Sequence, residues 1–226
     1  MTEAVIQFRY TLASAAPDAA AAAAMLAPVL AAAQKLGVMG RDAARYDGLA
    51  FGNLSYGSGD GQGFWITATQ TADLGRLSSD DVVRIDGWSL AENSVTARGT
   101  HPPSSEALSH AAIHGARPGR PTWVLHGHAP SVWSAAEALG WPVTDPAAAN
   151  GTLAMAEAVT ALAEAGSGLI VMGGHTDGVL AYAGDGSATL SLFAHALDCA
   201  RGLRAQTPQP GSPQTGQFHA RPPHRH

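Results

Sequence analysis

The sequence has 226 residues, a formal net charge of −5 and only 14% charged residues, which allows one domain with a buried core but provides no basic patch. We therefore expect no nucleic-acid partner. The single cysteine, Cys199, excludes an internal disulfide, and no signal peptide is evident, so a cytoplasmic protein is expected.

The first half of the sequence predicts one helix and a series of short strands. Residues 5–12 alternate as a strand requires, and Asp18 is placed to cap an alanine-rich helix that ends near Gly37. Pro28 and the weak hydropathy of this helix argue against a membrane span, so no membrane partner is expected. Further strands are predicted at residues 46–55, 64–67, 82–85 and 94–97, with a hairpin loop at 57–61, turns at 67–71 and 86–87, and a capped turn at 78–79.

The second half predicts helices that alternate with buried strands. A helix is expected at residues 106–116, with Ser104 or Ser105 as its N-cap. Helices are also predicted at 131–139, 151–165 and 189–203, and strands at 123–128, 168–172 and 178–183. These elements predict an α/β protein, a three-layer α/β/α sandwich, with a single domain over residues 1–205. Residues 206–226 have no periodicity and predict a disordered tail.

Three histidines follow buried strands and form a candidate metal site. His126 and His128 end one strand, and alternate residues of a strand point to the same face. His175 follows another buried run after two glycines. A catalytic zinc site commonly uses three protein ligands and leaves one position open. The alternative interpretation is a polar strand end and a loop that carry unrelated histidines.

Polar turns near this set indicate a site for an anion. Glu106 opens a predicted helix directly after Ser104 and Ser105, and the free N–H groups of a helix N-terminus favour anions. The turns at Gly52-Asn53 and Thr69-Gln70 offer similar groups. Each feature alone also fits an ordinary turn, or a glutamate that interacts with the helix dipole.

These motifs together resemble the class II aldolase/adducin family, in a fuculose-phosphate aldolase-like but poorly characterised branch. The match consists of Gly52-Asn53-Leu54-Ser55, Ile66-Thr67-Ala68-Thr69, Pro103-Ser104-Ser105-Glu106, His126-Gly127-His128 and His175. The resemblance implies a mixed, mostly antiparallel central sheet. It implies Zn²⁺, or another divalent ion such as Mn²⁺, Co²⁺ or Fe²⁺, on His126, His128 and His175, with Glu106 as the acid/base. It implies substrate or phosphate binding by Gly52, Asn53, Thr69, Gln70, Ser104 and Ser105.

The sequence departs from the family pattern in three places. Gln70 stands where many members have glycine, and residues 129–150 contain no tyrosine, although a tyrosine of that region assists proton transfer in the sugar-phosphate aldolases. Asp177 follows the third histidine by two residues. It is a second candidate acid/base, with the cap of a turn as the alternative.

The function implied by the resemblance is that of a metal-dependent aldolase. Such a carbon–carbon lyase acts on a small hydroxyketone or sugar phosphate through an enediolate, in carbohydrate metabolism, and as a homotetramer. An epimerase or dehydratase at the same metal site remains an alternative, as does a non-enzymatic interaction module like the adducin head. A hydrolase with metal-bound water lacks any motif beyond the metal ligands, and the one lysine, Lys35, argues against Schiff-base chemistry.

Overall fold

A computed structural model describes residues 6–14, 16–163 and 168–206. The strands are β1 (Arg9–Ala13), β2 (Gly40–Arg41), β3 (Ala50–Phe51), β4 (Asn53–Gly57), β5 (Phe64–Thr67), β6 (Val82–Ser89), β7 (Ser94–Arg98), β8 (Thr122–His128), β9 (Gly168–Val171) and β10 (Gly178–Ala183). The helices are α1 (Ala19–Lys35), α2 (Ala107–Gly115), α3 (Pro130–Ala135), α4 (Leu153–Leu162) and α5 (Gly186–Gln206). No helix within these described ranges is long and apolar enough to cross a membrane.

Eight strands form one central sheet in the order β1-β7-β6-β5-β4-β8-β10-β9. The edge strand β1 runs parallel to β7, and every other neighbouring pair in this sheet is antiparallel. The two short strands β2 and β3 pair separately beside it. The sheet is therefore mixed and mostly antiparallel, as predicted.

Helices cover both faces of this sheet, so the three-layer prediction is confirmed. On one face, residues of α1 and α5 such as Leu26 and Phe193 pack with Leu125 of β8. On the other face, α2 and α4 pack with Val124 of the same strand. Because successive strand residues point to opposite faces, β8 contributes to both cores and is buried along its whole length.

One predicted turn is wrong. The Asp86-Gly87 pair does not reverse the chain; strand β6 continues through a bulge between Ile85 and Gly87 and ends at Ser89. The carboxylate of Asp86 accepts two hydrogen bonds from Arg98 across the hairpin, at 2.6 and 2.8 Å. This ion pair and the tolerance of a bulge for glycine keep the segment within the sheet.

Helix and strand ends also differ from the predictions. Glu106, rather than Ser104 or Ser105, occupies the N-cap position of α2, with its N–H 3.4 Å from Ser104 Oγ. Residues 46–48 form a short 3-10 turn instead of the start of a strand, and helix α5 begins at Gly186 and includes Gln206. Residue 5 of the first predicted strand, residues 164–165 of a predicted helix and residues 207–226 of the predicted tail lie outside the described residues.

Candidate metal centre and active site

The three predicted metal ligands meet at one end of the sheet. His126 and His128 occupy alternate positions of β8, and Gly178 of β10 pairs with His128. The turn between β9 and β10 therefore brings His175 over the end of β8. The candidate ligand atoms of these three residues, which we call the histidine triad, all lie within 4.8 Å of one another. The Nε2 atoms of His128 and His175 lie 3.0 Å apart.

The triad has the chemistry of a divalent metal site. All three side chains are buried, with exposed fractions of 0%, 1% and 3% for His126, His128 and His175. Within the described residues, neither ring nitrogen of His126 forms a hydrogen bond of ordinary geometry. Burial, followed by the other two triad histidines, holds the pKa of His126 well below its usual value. The smallest of the influences on the pKa of His126 is the nearby Val179 backbone, which raises it. Metal ions bind neutral imidazoles, so these residues fit a metal such as zinc.

A glycine permits the close approach of His175. A Cβ atom on Gly178 would lie 2.2 Å from Cδ2 of the His175 ring. Any larger residue at this position would therefore displace a triad ring. The turn sequence that follows His175 is thus constrained by the packing of the triad as well as by the chain reversal.

The predicted anion-binding turns lie at neighbouring positions along the end of the sheet that carries the triad. Asn53 of β4 pairs with His126 of β8, and directly paired residues share a face of the sheet. The pairing of Ser55 with Ile66, continued by two residues, sets Asn53 beside Ala68. Ala68 in turn forms a bridge with Pro103, which precedes Ser104 and Ser105. The structure therefore brings all three predicted turns to the same end of the sheet as the triad.

Backbone geometry fixes the first of these turns. Gly52 has φ +86°, and a Cβ there would lie 2.5 Å from the Met39 side chain and 3.0 Å from the His126 carbonyl oxygen. The next residue, Asn53, is 5% exposed, and its Oδ1 has no hydrogen-bond partner within the described ranges. Ser104 and Ser105 are also buried. The turn thus presents a buried amide oxygen close to the triad.

Gln70 has its side chain engaged in the fold. Its backbone has φ +61°, in the left-handed region. Its Oε1 accepts from the Ala50 N–H at 3.0 Å, and its Nε2 donates to the Ala50 carbonyl at 3.2 Å. The side chain thus ties the turn to β3. Contact of this turn with an anion would depend on its backbone and on Thr69, which is half-buried.

The N-terminus of α2 faces the triad end of β4. The Ser55 hydroxyl hydrogen-bonds with His110 Nδ1 at 2.7 Å and with His114 Nε2 at 2.9 Å. One helical turn and two strand residues each advance a chain by about 6 Å. Glu106, one turn before His110, therefore lies opposite the region of Asn53. It is 2% exposed, and its Oε2 accepts from Ser109 Oγ at 2.8 Å.

The sequence interpretation missed the Ser55–His110–His114 network. Burial, followed by the proximity of His114, lowers the pKa of His110 well below its usual value. Burial and Arg117 lower the pKa of His114 to about 3. Both imidazoles are therefore neutral near pH 7. Glu106, His110 and His114 follow one another at four-residue intervals, which places them on one face of α2, and this spacing was the available signal in the sequence.

The second predicted acid/base, Asp177, lies at the triad but in a network with two residues that the sequence did not single out. Its Oδ2 accepts from the Tyr46 hydroxyl at 2.8 Å and lies 3.8 Å from a guanidinium nitrogen of Arg45. The Tyr46 ring contacts His128, with ring centres 4.4 Å apart. Burial and the hydrogen bond to Asp177 raise the pKa of Tyr46. No periodicity or motif in the sequence indicated Tyr46.

Comparison with known proteins identifies the family. Residues 36–194, more than half of the chain, match the family described as "Class II Aldolase and Adducin N-terminal domain". The chain therefore belongs to this family, as its motifs predicted. A search of curated proteins gave no match.

Solved structures share the fold at low sequence identity. An L-fuculose 1-phosphate aldolase has a TM-score of 0.60 and 19% identity, over 85% of this chain and 87% of its own. YgbL from Klebsiella pneumoniae, described as a candidate aldolase/epimerase/decarboxylase, has a TM-score of 0.60 and 14% identity, over 83% and 90%. A sugar-phosphate aldolase from Thermotoga maritima has a TM-score of 0.55 and 13% identity, over 82% and 96%. At these identities the likeness concerns the fold.

Proposed function

We propose that the protein is a metal-dependent, aldolase-type lyase that acts on a small hydroxyketone or sugar phosphate. The observation that carries this proposal is the convergence of three buried imidazoles, with ligand atoms within 4.8 Å of one another, at the sheet end that also holds the buried carboxylate of Glu106. Membership of the class II aldolase and adducin family supports it. We propose zinc as the resident ion, because three imidazoles form a common ligand set for zinc.

The proposed chemistry divides between the ion and the protein. His126, His128 and His175 would hold the ion, which supplies Lewis-acid stabilisation of negative charge on a substrate oxygen when bound. Glu106 would move the proton at the carbon next to the substrate carbonyl. Its burial supports this role, because desolvation makes a carboxylate a stronger base. The contact with Ser109 fixes the orientation of the carboxylate.

The polar turns would bind the far end of the substrate. Asn53, Ser104 and Ser105 are buried at the same end of the sheet as the triad, where an incoming substrate would meet them. The N-terminus of a helix such as α2 favours a phosphate or another anion. The Gly52 turn and Thr69 would complete this subsite, with Gln70 acting through its backbone because its amide is bound to Ala50.

Product analysis would separate this reaction from its nearest alternatives. Dehydration at the same site would need the same removal of an α proton, and epimerisation would proceed by retro-aldol cleavage, rotation and re-addition. Exchange of an α proton alone therefore does not distinguish these reactions. Incubation with dihydroxyacetone phosphate and a panel of aldehydes should give new carbon–carbon bonds if the protein is an aldolase. Water loss or inversion of candidate sugar phosphates, without condensation, would replace the aldolase proposal with a dehydratase or an epimerase.

A metal assay tests the enzymatic proposal against a non-enzymatic interaction module. The protein, purified without chelator, should contain one divalent ion per chain. Protein that is free of metal and binds none on addition would favour the interaction module. All three histidines and the glutamate are present and buried together, which supports the enzyme.

We also propose a homotetramer. Membership of the family, together with a charged fraction of only 14% that fits a chain with surface to bury, supports this proposal. Light scattering at micromolar concentration measures the state directly.

A further inference from the structure

Tyr46 connects the two separate chain segments that carry the triad. Its ring contacts the His128 ring at 4.4 Å between centres, and its hydroxyl donates to Asp177 at 2.8 Å. Asp177 stands two residues after His175 in the turn between β9 and β10. The Tyr46 side chain therefore contacts His128 at the end of β8 and hydrogen-bonds to the turn between β9 and β10 that contains His175.

The backbone reinforces the same connection. The Asp177 carbonyl accepts from the N–H of Ala129, the residue that follows His128, at 2.8 Å. Asp177 thus contacts the β8 end through its main chain and Tyr46 through its side chain. A closed path runs from His128 through Ala129 and Asp177 to Tyr46 and back to the His128 ring. A closed path restricts the relative motion of its members more than a single contact does.

Arg45 and Phe51 also contact Tyr46 and restrict its position. The Arg45 guanidinium carbon lies 4.7 Å from the centre of the Tyr46 ring and 5.4 Å from that of Phe51. A guanidinium nitrogen of Arg45 also donates to the Tyr46 oxygen and lies 3.8 Å from Asp177. Phe51 contacts both Tyr46 and His128, with ring centres 5.1 and 5.5 Å apart. Tyr46 is therefore fixed at its ring and at its hydroxyl.

The backbone at both ends of the Tyr46–Asp177 bond is in an unfavourable region. Tyr46, Asp47 and Asp177 have φ values of +51°, +56° and +66°. Residues other than glycine adopt such values rarely, and they persist where surrounding contacts enforce them. The Tyr46–Asp177 hydrogen bond joins these two segments, both of which carry residues in the left-handed region.

We propose that Tyr46, acting through Asp177, is a positioning residue that holds His128 and His175 at the separation required by a divalent metal. This inference deepens the proposed function, since it assumes that the triad binds a metal. It also assigns Asp177 to the support of the metal ligands instead of to proton transfer with the substrate. Residues that orient metal ligands typically change metal affinity by about 10–100-fold when they are removed.

The test is zinc affinity in two single variants and their combination, measured by competition with a chromophoric chelator. Tyr46→Phe keeps the ring and removes the hydroxyl. Asp177→Gly removes the carboxylate, and glycine adopts the left-handed conformation without strain. Each should weaken zinc binding by about 10–100-fold. Both substitutions remove the same hydrogen bond. The double variant should therefore bind zinc with the affinity of whichever single variant binds it less tightly.

Tyr10→Phe is the matched control, because Tyr10 lies on the edge strand β1 and is 39% exposed. It should bind zinc like the wild type. Wild-type affinity in Tyr46→Phe, or losses that add in the double variant, would overturn the inference. If Tyr46→Phe does not fold, Asp177→Gly alone decides it, and wild-type affinity there overturns it. Failure of the wild type to bind zinc would instead overturn the proposed function, so the two failures are distinguishable.

Discussion

Replacement of Glu106 by glutamine should abolish proton transfer and leave the fold intact. Glu106 is 2% exposed, and its Oε2 accepts a hydrogen bond from the Ser109 hydroxyl at 2.8 Å. Glutamine has the same length and retains an acceptor oxygen. A hydrogen bond to a charged group contributes about 1.5–3 kcal/mol and a neutral one about 0.5–1.5, so the exchange costs roughly 1 kcal/mol. Removal of a buried charge offsets part of this cost.

The expected loss of catalysis is larger than this change in stability. General base catalysis contributes about 10²–10⁴-fold, so turnover of Glu106→Gln should fall at least about 100-fold. Exchange of the α proton of dihydroxyacetone phosphate with deuterated water, followed by NMR, isolates this step from carbon–carbon bond formation. The matched control is Glu157→Gln, because Glu157 is exposed on α4 and belongs to neither the triad nor the polar turns. It should exchange the proton like the wild type.

Two outcomes would refute this reasoning. If Glu106→Gln exchanges the α proton at the wild-type rate, another group is the base. If the variant instead loses its metal, Glu106 acts mainly as a ligand, and the acid/base assignment must be withdrawn. Metal content and thermal unfolding should therefore be measured on the same preparation.

The other predictions concern metal binding, pH and assembly. His126→Ala should weaken zinc binding by more than about 100-fold, whereas replacement of the exposed His195 by alanine should leave the affinity unchanged. In chemical denaturation, zinc at 100 times its dissociation constant should stabilise the wild type by about 2.7 kcal/mol. The same zinc concentration should give no such stabilisation of His126→Ala. Metal-free protein should lose stability as pH falls below about 6.5. The pKa values of His110 and His114 are depressed in the folded state, so below this pH the unfolded state binds more protons than the folded state does. His114→Phe should reduce the loss between pH 7 and pH 5 by up to about 2 kcal/mol, and an unchanged pH profile would contradict the assignment. Light scattering should give the mass of four chains, and a monomer at micromolar concentration would contradict the tetramer.

The sequence predicted the parts of the site that depend on local periodicity. His126 and His128 share a face because they are two residues apart in a strand. Gly52 was expected at a break in a strand, and it does separate β3 from β4. The three-layer fold followed from buried apolar runs alternating with helical segments. These features follow from short-range rules that hold in most proteins.

The features that were missed depend on contacts distant in sequence. The Asp86-Gly87 pair has the local signature of a turn, but pairing with Arg98 in the neighbouring strand overrides it. Tyr46 and Asp177 are 131 residues apart, so no local pattern could indicate their hydrogen bond. The engagement of Gln70 with Ala50 likewise depends on tertiary packing. Chain topology, and not residue type, determines these contacts.

Anomalous diffraction at the zinc edge, on crystals of protein purified without chelator, tests the central claim most directly. The account predicts one strong peak per chain between the imidazoles of His126, His128 and His175, about 2.0–2.1 Å from one nitrogen of each. No peak at the triad after zinc has been added, or a zinc ion bound by other residues, would contradict it.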